Sequence, residues 1–392
     1  MILRQVHPQF PNRIAVHVQN HVLSTQNVAY NPKCFDFIPH FNKDTILLIE
    51  RSFLSFVLFE MNSQLFDNHG RPISYLRLAV TDRCNLRCFY CMPEEGIKYL
   101  PKKELLTFEE IVRLVTLLAN MGISKVRLTG GEPFVRTDLM QLIRRIKEID
   151  GIKSLHLTTN GVLTVPYIAE LKSLGIASVN LSLDTLDRER SKLITRRDEF
   201  MRTWATFELL MKHEIPVKIN AVVMEGKNIE DILPLVELTK RFAVSVRFIE
   251  EMPFNGEGSH YTTLHWTHKK IVDYIRENHP SLQKIEDPKN SSADHFQIPG
   301  YKGTIGIIAA FSRTFCGTCN RIRVTAQGVL KTCLYDDGVL NIKDLLRSGA
   351  GDEELRTQLL KAFHSRPKNG FEAEERRKKE SPFMESMSTI GG

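Results

Sequence analysis

Between Tyr75 and Glu250 the sequence switches repeatedly between two periods. Short β-rich runs, "YLRLAV" (75–80), "KVRLT" (125–129), "SLHLTT" (154–159), "SVNLSL" (178–183), "VKINAVV" (217–223) and "VRFIE" (246–250), are separated by amphipathic stretches of helical period. Those stretches fall near 107–121, 137–149, 166–174, 199–213 and 228–241. The first opens on Thr107 with Glu110 three residues later, a capping box. Strands that alternate with helices in this way imply an α/β protein of parallel β/α units with right-handed crossovers. A partial (β/α)6 TIM-like barrel is expected over an open sheet, although periodicity alone does not separate them.

The pattern ends near Pro253. From 254 to 364 we expect loops around a helix at 265–278, strands in "GTIGIIAAF" and "NRIRVTAQGVLKTCLY" with a hairpin at Gln327-Gly328, and helix over 338–364. Residues 365–392 read as a charged connector and a Gly-Gly tail. Residues 1–60 have no acidic residue before Asp36 and no clear period. They are expected to be an extension ahead of a natural start near Met61, or else a small folded or targeting segment; 61–253 would then be the barrel. The formal charge of +7 fits a polyanionic small molecule at least as well as a nucleic acid, and no dense basic block interleaved with aromatics is present. The longest apolar run, 45–59, is broken by Glu50 and Arg51, too short and too charged to span a bilayer. We expect no nucleic acid and no membrane among the partners.

Of seven cysteines, six form two groups, Cys84, Cys88, Cys91 and Cys316, Cys319, Cys333, with Cys34 alone. Tight groups in a long chain argue for metal rather than a disulfide framework. The first group follows the first strand, at the carboxyl end of a barrel where active sites lie. Three thiolates suit a soft metal or an iron–sulfur cluster. Structural zinc with a distant fourth ligand, or loop cysteines without metal, are the plainer readings. A four-iron cluster on three cysteines would leave one iron open to a reactant. For the second group, zinc would need a fourth ligand such as His295; the other reading is a second cluster with an open iron. Beside it Arg321 and Arg323 alternate on a strand, which suits either an anion or a solvated basic face.

Cys84-x-x-x-Cys88-x-x-Cys91, with Tyr90 before the last cysteine, resembles the signature of radical S-adenosylmethionine enzymes. "RLTGGEPFVR" resembles the segment of that superfamily that binds the methionine amino group, with Gly131 and Glu132. Ser182 in "NLSLD" resembles a ribose or carboxylate contact, and Met252 a backbone contact to adenine. With "FCGTCNRIRVTAQG" and the terminal "MSTIGG", the chain from about Leu65 to Gly392 resembles the molybdenum cofactor biosynthesis protein A family, the GTP 3′,8-cyclases. The resemblance implies a radical SAM partial barrel closed by a C-terminal auxiliary-cluster region, two 4Fe–4S clusters and S-adenosylmethionine. It implies that the radical takes the ribose 3′ hydrogen of GTP and that the resulting carbon radical attacks C8. Arg77, Arg127, Thr158, Lys218, Arg321, Ile322 and Arg323 look like GTP contacts, and Gly391 and Gly392 like a tail entering the cavity. Implied partners are an electron donor, the cyclic pyranopterin monophosphate synthase that acts on the product, and a second copy of the chain. The implied location is the cytoplasm, or the mitochondrial matrix if the leader targets it. Glu251 departs from the family pattern, where a hydrophobic neighbour is common. The alternatives are a peptide-modifying radical enzyme with an auxiliary cluster and a zinc-stabilised binding protein without catalysis.

Overall fold

The computed structural model describes residues 64–254, 264–377 and 385–391. The 1–60 extension, Cys34, Gly392 and parts of the expected 254–300 loops and charged connector lie outside the described residues. The barrel region runs β1 (Tyr75–Ala79), α1 (Phe108–Asn120), β2 (Lys125–Thr129), α2 (Leu139–Lys147), β3 (Ser154–Thr159), α3 (Ile168–Ser173), β4 (Ser178–Ser182), α4 (Arg188–Thr195), α5 (Phe200–Lys212), β5 (Val217–Val223), α6 (Ile232–Arg241) and β6 (Ser245–Glu250). All the expected strands and helices of this part are present. The capping box forms as read, with the Glu110 amide donating to Thr107 Oγ1 at 3.2 Å and the Thr107 amide to Glu110 Oε2 at 2.7 Å. Helix α4 was not anticipated. It buries only Ser191 and Ile194, too narrow an apolar stripe to register as helical period, and Asp187 caps it by accepting from the Arg190 amide.

After β6 come α7 (His268–Asn278), β7 (Gln283–Lys284), β8 (Asp294–Gln297), β9 (Thr304–Ile308), β10 (Arg321–Val324), β11 (Val329–Lys331), β12 (Leu340–Asn341), α8 (Ile342–Arg347), α9 (Asp352–His364), α10 (Gly370–Arg376) and α11 (Met387–Ile390). The expected hairpin at Gln327-Gly328 joins β10 to β11 in antiparallel pairing. Helix α10 falls inside the stretch read as a connector. Asn369 caps it, Arg376 pairs with Glu372 one turn earlier, and Ala373 packs inward. The density of charge hid this short helix because most of its faces are solvated.

The strands form one sheet in the order β12-β11-β10-β1-β2-β3-β4-β5-β6-β9-β8-β7. Strands β1 to β6 are parallel neighbours in sequence order, as expected of a partial barrel. The C-terminal region adds to both edges, with β10 parallel to β1 and β9 parallel to β6. Among the described strands no ladder joins the two ends, so the expected closure is not made by backbone hydrogen bonds. Alternation along each strand separates two faces. Val217, Ile219, Ala221 and Val223 of β5 pack outward under the helices, while Lys218, Asn220 and Val222 are half-buried on the concave side. On the convex side Ile111, Leu114, Val115 and Leu118 of α1 join the core. Each such side chain contributes about 1.5–3 kcal/mol on full burial.

Candidate active site

The parallel register lines up cations on the concave face. Arg77 of β1 sits level with Arg323 of β10 on one side and Arg127 of β2 on the other. Further round, Asn180 is level with Thr158 and Lys218, and Asn220 with Arg247. Like charges so placed repel. Burial, then Arg323 and Arg127, bring Arg77 down to about 9. Burial, then Arg247, Arg127 and Lys125, bring Lys218 down to about 7. Burial alone would raise the Tyr75 phenol, but Arg127, Arg77 and Lys125 bring it to about 7.

Two adjoining cavities open above this face, of 1120 and 1230 Å³ counted out to solvent. Asn220, Ile249, Met252 and Met387 belong to the walls of both. One cavity carries Cys84, Cys88 and Cys91, together with Tyr90, Gly131, Thr158 and Ser182. A Cβ on Gly131 would stand 2.2 Å from the Arg83 carbonyl oxygen, so only glycine lets the two backbones approach this closely. Tyr90 Oη donates to Asp184 Oδ2 at 2.9 Å. Burial, then Glu132, pushes the Cys84 thiol up to about 11, and burial, then Cys84, pushes Cys91 up to about 12. Metal binding here must therefore displace protons.

The other cavity carries Cys316, Cys319 and Cys333 with Arg77, Arg321 and Arg323. Burial alone would raise Cys319, but Arg321 and Arg366 bring it down to about 6. Among the described residues, no three or more His, Cys, Asp or Glu side chains converge as a single metal ion requires. A cluster does not need that convergence, because each thiolate binds its own iron. His295, the fourth zinc ligand considered from the sequence, is on neither wall and instead shares its Nδ1 with Asp287 at 3.1 Å. The donor sets thus fit clusters with three protein ligands each.

Not every expected residue reaches a cavity wall. Glu132 is fully buried beneath the cysteine loop, accepting from the Asn160 amide at 2.7 Å, Thr159 Oγ1 at 2.8 Å and the Phe134 amide at 3.2 Å. It holds the β3 loop rather than facing a ligand. Arg127 donates to Tyr75 Oη and to the Leu157 carbonyl, and neither it nor Lys218 is on a wall. Ile322 faces the core because strand alternation turns it away from Arg321 and Arg323, leaving only its backbone for a ligand. The described part of the tail packs against the site, although Gly391 is on neither wall. Gly391 is buried, its carbonyl accepts from Arg323 Nη1 at 3.2 Å, and Ser386 Oγ donates to the Cys91 carbonyl at 2.6 Å.

Reading the sequence missed Asn180, Asn220 and Arg247, although extending the alternation from Ser182, Lys218 and Ile249 would have placed each on the concave face. It also missed Arg71, Arg366 and Met387, for which no local period exists. Several wall atoms are buried without a partner, among them Arg77 Nε, Arg247 Nε, Arg321 Nη2, Thr158 Oγ1 and the Oδ1 atoms of Asn180 and Asn220. Each such group costs about 1–3 kcal/mol until a ligand satisfies it. The cationic ones suit a polyanion.

Residues 78–239 match the radical SAM superfamily and 244–372 match Molybdenum Cofactor Synthesis C. A Syntrophomonas wolfei protein named GTP 3′,8-cyclase is 40% identical over 340 residues, 84% of this chain and 100% of that protein. The Arabidopsis thaliana protein named GTP 3′,8-cyclase, mitochondrial, is 40% identical over 76% of each chain. Human molybdenum cofactor biosynthesis protein 1 is 41% identical over 74% of this chain, but this chain spans only 46% of it. The chain covers about half the length of the animal relatives of that name. In structure, Streptococcus suis SuiB superimposes with a TM-score of 0.54 at 14% identity, over 79% of this chain and 70% of that one, a likeness of fold.

Proposed function

This chain belongs to the radical SAM family of GTP 3′,8-cyclases, and on that premise we propose that it converts GTP to (8S)-3′,8-cyclo-7,8-dihydroguanosine 5′-triphosphate in the first step of molybdenum cofactor synthesis. The observation that carries the reading is the shared wall: two cysteine triads, each in its own cavity, with Met252 and Met387 common to both. Such a neighbourhood suits two ligands that must react with each other. Cys84, Cys88 and Cys91 would hold one 4Fe–4S cluster and Cys316, Cys319 and Cys333 a second. When bound, S-adenosylmethionine on the first supplies the radical chemistry that removes the ribose 3′ hydrogen.

The chain's own residues bind and orient. Arg77, Arg321 and Arg323 would meet the anionic substrate with charge-assisted hydrogen bonds, which are shorter and stronger than neutral ones. Ser182 and the Gly131 backbone line the S-adenosylmethionine side; Thr158, expected from the sequence to meet GTP, is on that same wall, and the tail would shield the opening with Gly391 on Arg323. An electron donor, the synthase that consumes the product, and a second copy of the chain are its proposed partners. Among the described residues no helix is long and apolar enough to cross a membrane; we assign the protein to the cytoplasm, or to the mitochondrial matrix if residues 1–60 target it.

The test is anaerobic incubation with GTP, S-adenosylmethionine and a chemical reductant, followed by mass analysis. The cyclised triphosphate and 5′-deoxyadenosine should form together. Cys88→Ala should halve the iron content and abolish 5′-deoxyadenosine. Formation of 5′-deoxyadenosine with no change in GTP would reject the cyclase in favour of a different radical substrate, such as a peptide.

A further inference from the structure

Each triad has both signs of charge nearby, with Arg87 donating to the Cys84 carbonyl at 2.7 Å and Asp336 accepting from the Cys333 amide at 2.8 Å, but the two differ in what reaches a cysteine sulfur. The sulfur of Cys84 accepts only from neutral donors, the Leu86 amide at 3.4 Å and Asn160 Nδ2 at 3.7 Å. Carboxylates lie close by, since Tyr90 beside Cys91 is bonded to Asp184 and Glu132 is buried under the same loop. The sulfur of Cys319 instead accepts from two guanidiniums, Arg366 Nη2 at 3.2 Å and Arg321 Nε at 3.4 Å.

Arg321 and Arg366 both line the cavity of the second triad, but Arg366 is almost wholly buried in its wall. Its side chain is 3% exposed and its fork is fully engaged. Nε donates to the Thr332 carbonyl at 2.9 Å, Nη1 to the Cys319 carbonyl at 3.0 Å and to Asp67 Oδ2 at 3.2 Å, and Nη2 also to the Arg321 carbonyl at 2.8 Å. Asp67, its side chain wholly buried, accepts in addition from Arg71 Nε at 2.6 Å, and Arg71 Nη1 donates to the Cys316 carbonyl at 3.1 Å. Two cations share this one carboxylate, so the group keeps a net positive charge against the cysteine loop. A lysine could supply the charge but not donors at these fixed angles.

We propose that Arg366, oriented by Asp67, is a positioning residue that holds the reduction potential of the group on Cys316, Cys319 and Cys333 above that of the group on Cys84, Cys88 and Cys91. The inference rests on the two-cluster reading above. Reduction adds one electron and no proton to a thiolate-bound cluster. A buried cation hydrogen-bonded to the thiolate stabilises the more negative state, and hydrogen bonds to sulfur together with net charge are levers that set such potentials. Arg366 is assigned no substrate contact but shares the cavity wall with Arg321, so the potential is titrated without GTP, where substrate binding plays no part.

The experiment is an EPR-monitored redox titration of the anaerobically purified full chain, repeated on Arg366→Lys and Arg366→Gln. The auxiliary signal is assigned in a background with Cys84, Cys88 and Cys91 replaced by alanine. In both variants the auxiliary potential should fall, further for Gln than for Lys, with the first cluster's potential unchanged. Should the variants lose their clusters, the wild type decides alone. Pulsed EPR of protein labelled with 15N-arginine should show guanidinium nitrogen coupled to the reduced auxiliary cluster, and a coupling that survives Arg321→Lys belongs to Arg366. An auxiliary potential unmoved at wild-type iron content, or no arginine coupling in the wild type, overturns the inference while leaving the two clusters in place. A wild type with about four irons instead of about eight overturns the two-cluster reading itself.

Discussion

Arg77→Met should make the ligand-free protein more stable and GTP binding weaker. Arg77 is half-buried on the concave face, flanked in register by Arg323 and Arg127, and its Nε has no partner. Burial and those neighbours lower it from 12.5 to about 9. A base whose folded value is depressed costs the fold stability. The cost is complete below about 9 and disappears only as pH climbs toward 12.5, so at pH 7.5 all of it is present. At ~1.4 kcal/mol per pH unit the drop corresponds to roughly 5 kcal/mol as a ceiling, and water in the open cavity screens it to an expected gain of ~1–2 kcal/mol. Methionine fills much of the same space without the charge. Against GTP the sign reverses, because a charged hydrogen bond is worth about 1.5–3 kcal/mol, giving ~10- to 100-fold weaker binding. Differential scanning calorimetry with and without GTP, and titration calorimetry, read both effects. A lower unfolding temperature without ligand, or unchanged GTP affinity, would refute the account of this face as a preformed, strained anion site.

Lys218 at about 7 loses its charge as pH rises through neutrality, and a polyanion bound nearby should restore it. GTP binding at pH 8 is therefore expected to take up a proton, seen as a buffer-dependent binding heat, and Lys218→Met should remove that dependence; identical heats in all buffers for the wild type would contradict it. Its charge also costs the fold most below about 7, with relief as pH rises toward 10.5. Gly391→Ala should displace the tail, since φ is +84° and the added Cβ would meet Thr129 Oγ1 at 2.5 Å and Ala79 Cβ at 3.0 Å. The left-handed conformation alone adds about 1–2 kcal/mol. Cyclisation should fall with iron content unchanged, and amide exchange should rise over 386–391; a protected tail would contradict the contact.

The barrel was legible because its signal is local. Six strands and the helix opened by Thr107 each announce themselves within a dozen residues, by period or by a cap. Both triads were legible for the same reason, as spacing alone proposes them. The pairing of β10 with β1 was not, because Arg323 and Arg77 are far apart in sequence and only the sheet order brings them level. Local pattern also misjudged side-chain direction. Glu132 follows a Gly-Gly pair and reads as a ligand contact, yet its carboxylate turns under the loop to bind the Asn160 amide. Ile322 sits between two cavity arginines and for that reason points into the core. Arg366 had no signal at all, since its partners are carbonyls, a sulfur and the Asp67 carboxylate from three separate segments, which leave no mark in the sequence around it.

The tail links the two halves of the site. Within 385–391, Glu385 takes both oxygens to Lys331 Nζ at 2.8 Å on β11, and Ser386 donates to the Cys91 carbonyl. Met387 then lines both cavities, and Gly391 accepts from Arg323. Lys331 is fully buried, so removing Glu385 would leave its amino group without its carboxylate partner. The same few residues therefore touch the backbone of the first triad, the wall between the cavities and a cavity arginine. A change confined to one cavity, such as Arg77→Met, should leave the other intact. Losing the Lys331–Glu385 pair should disturb both at once, because one segment is packed into each.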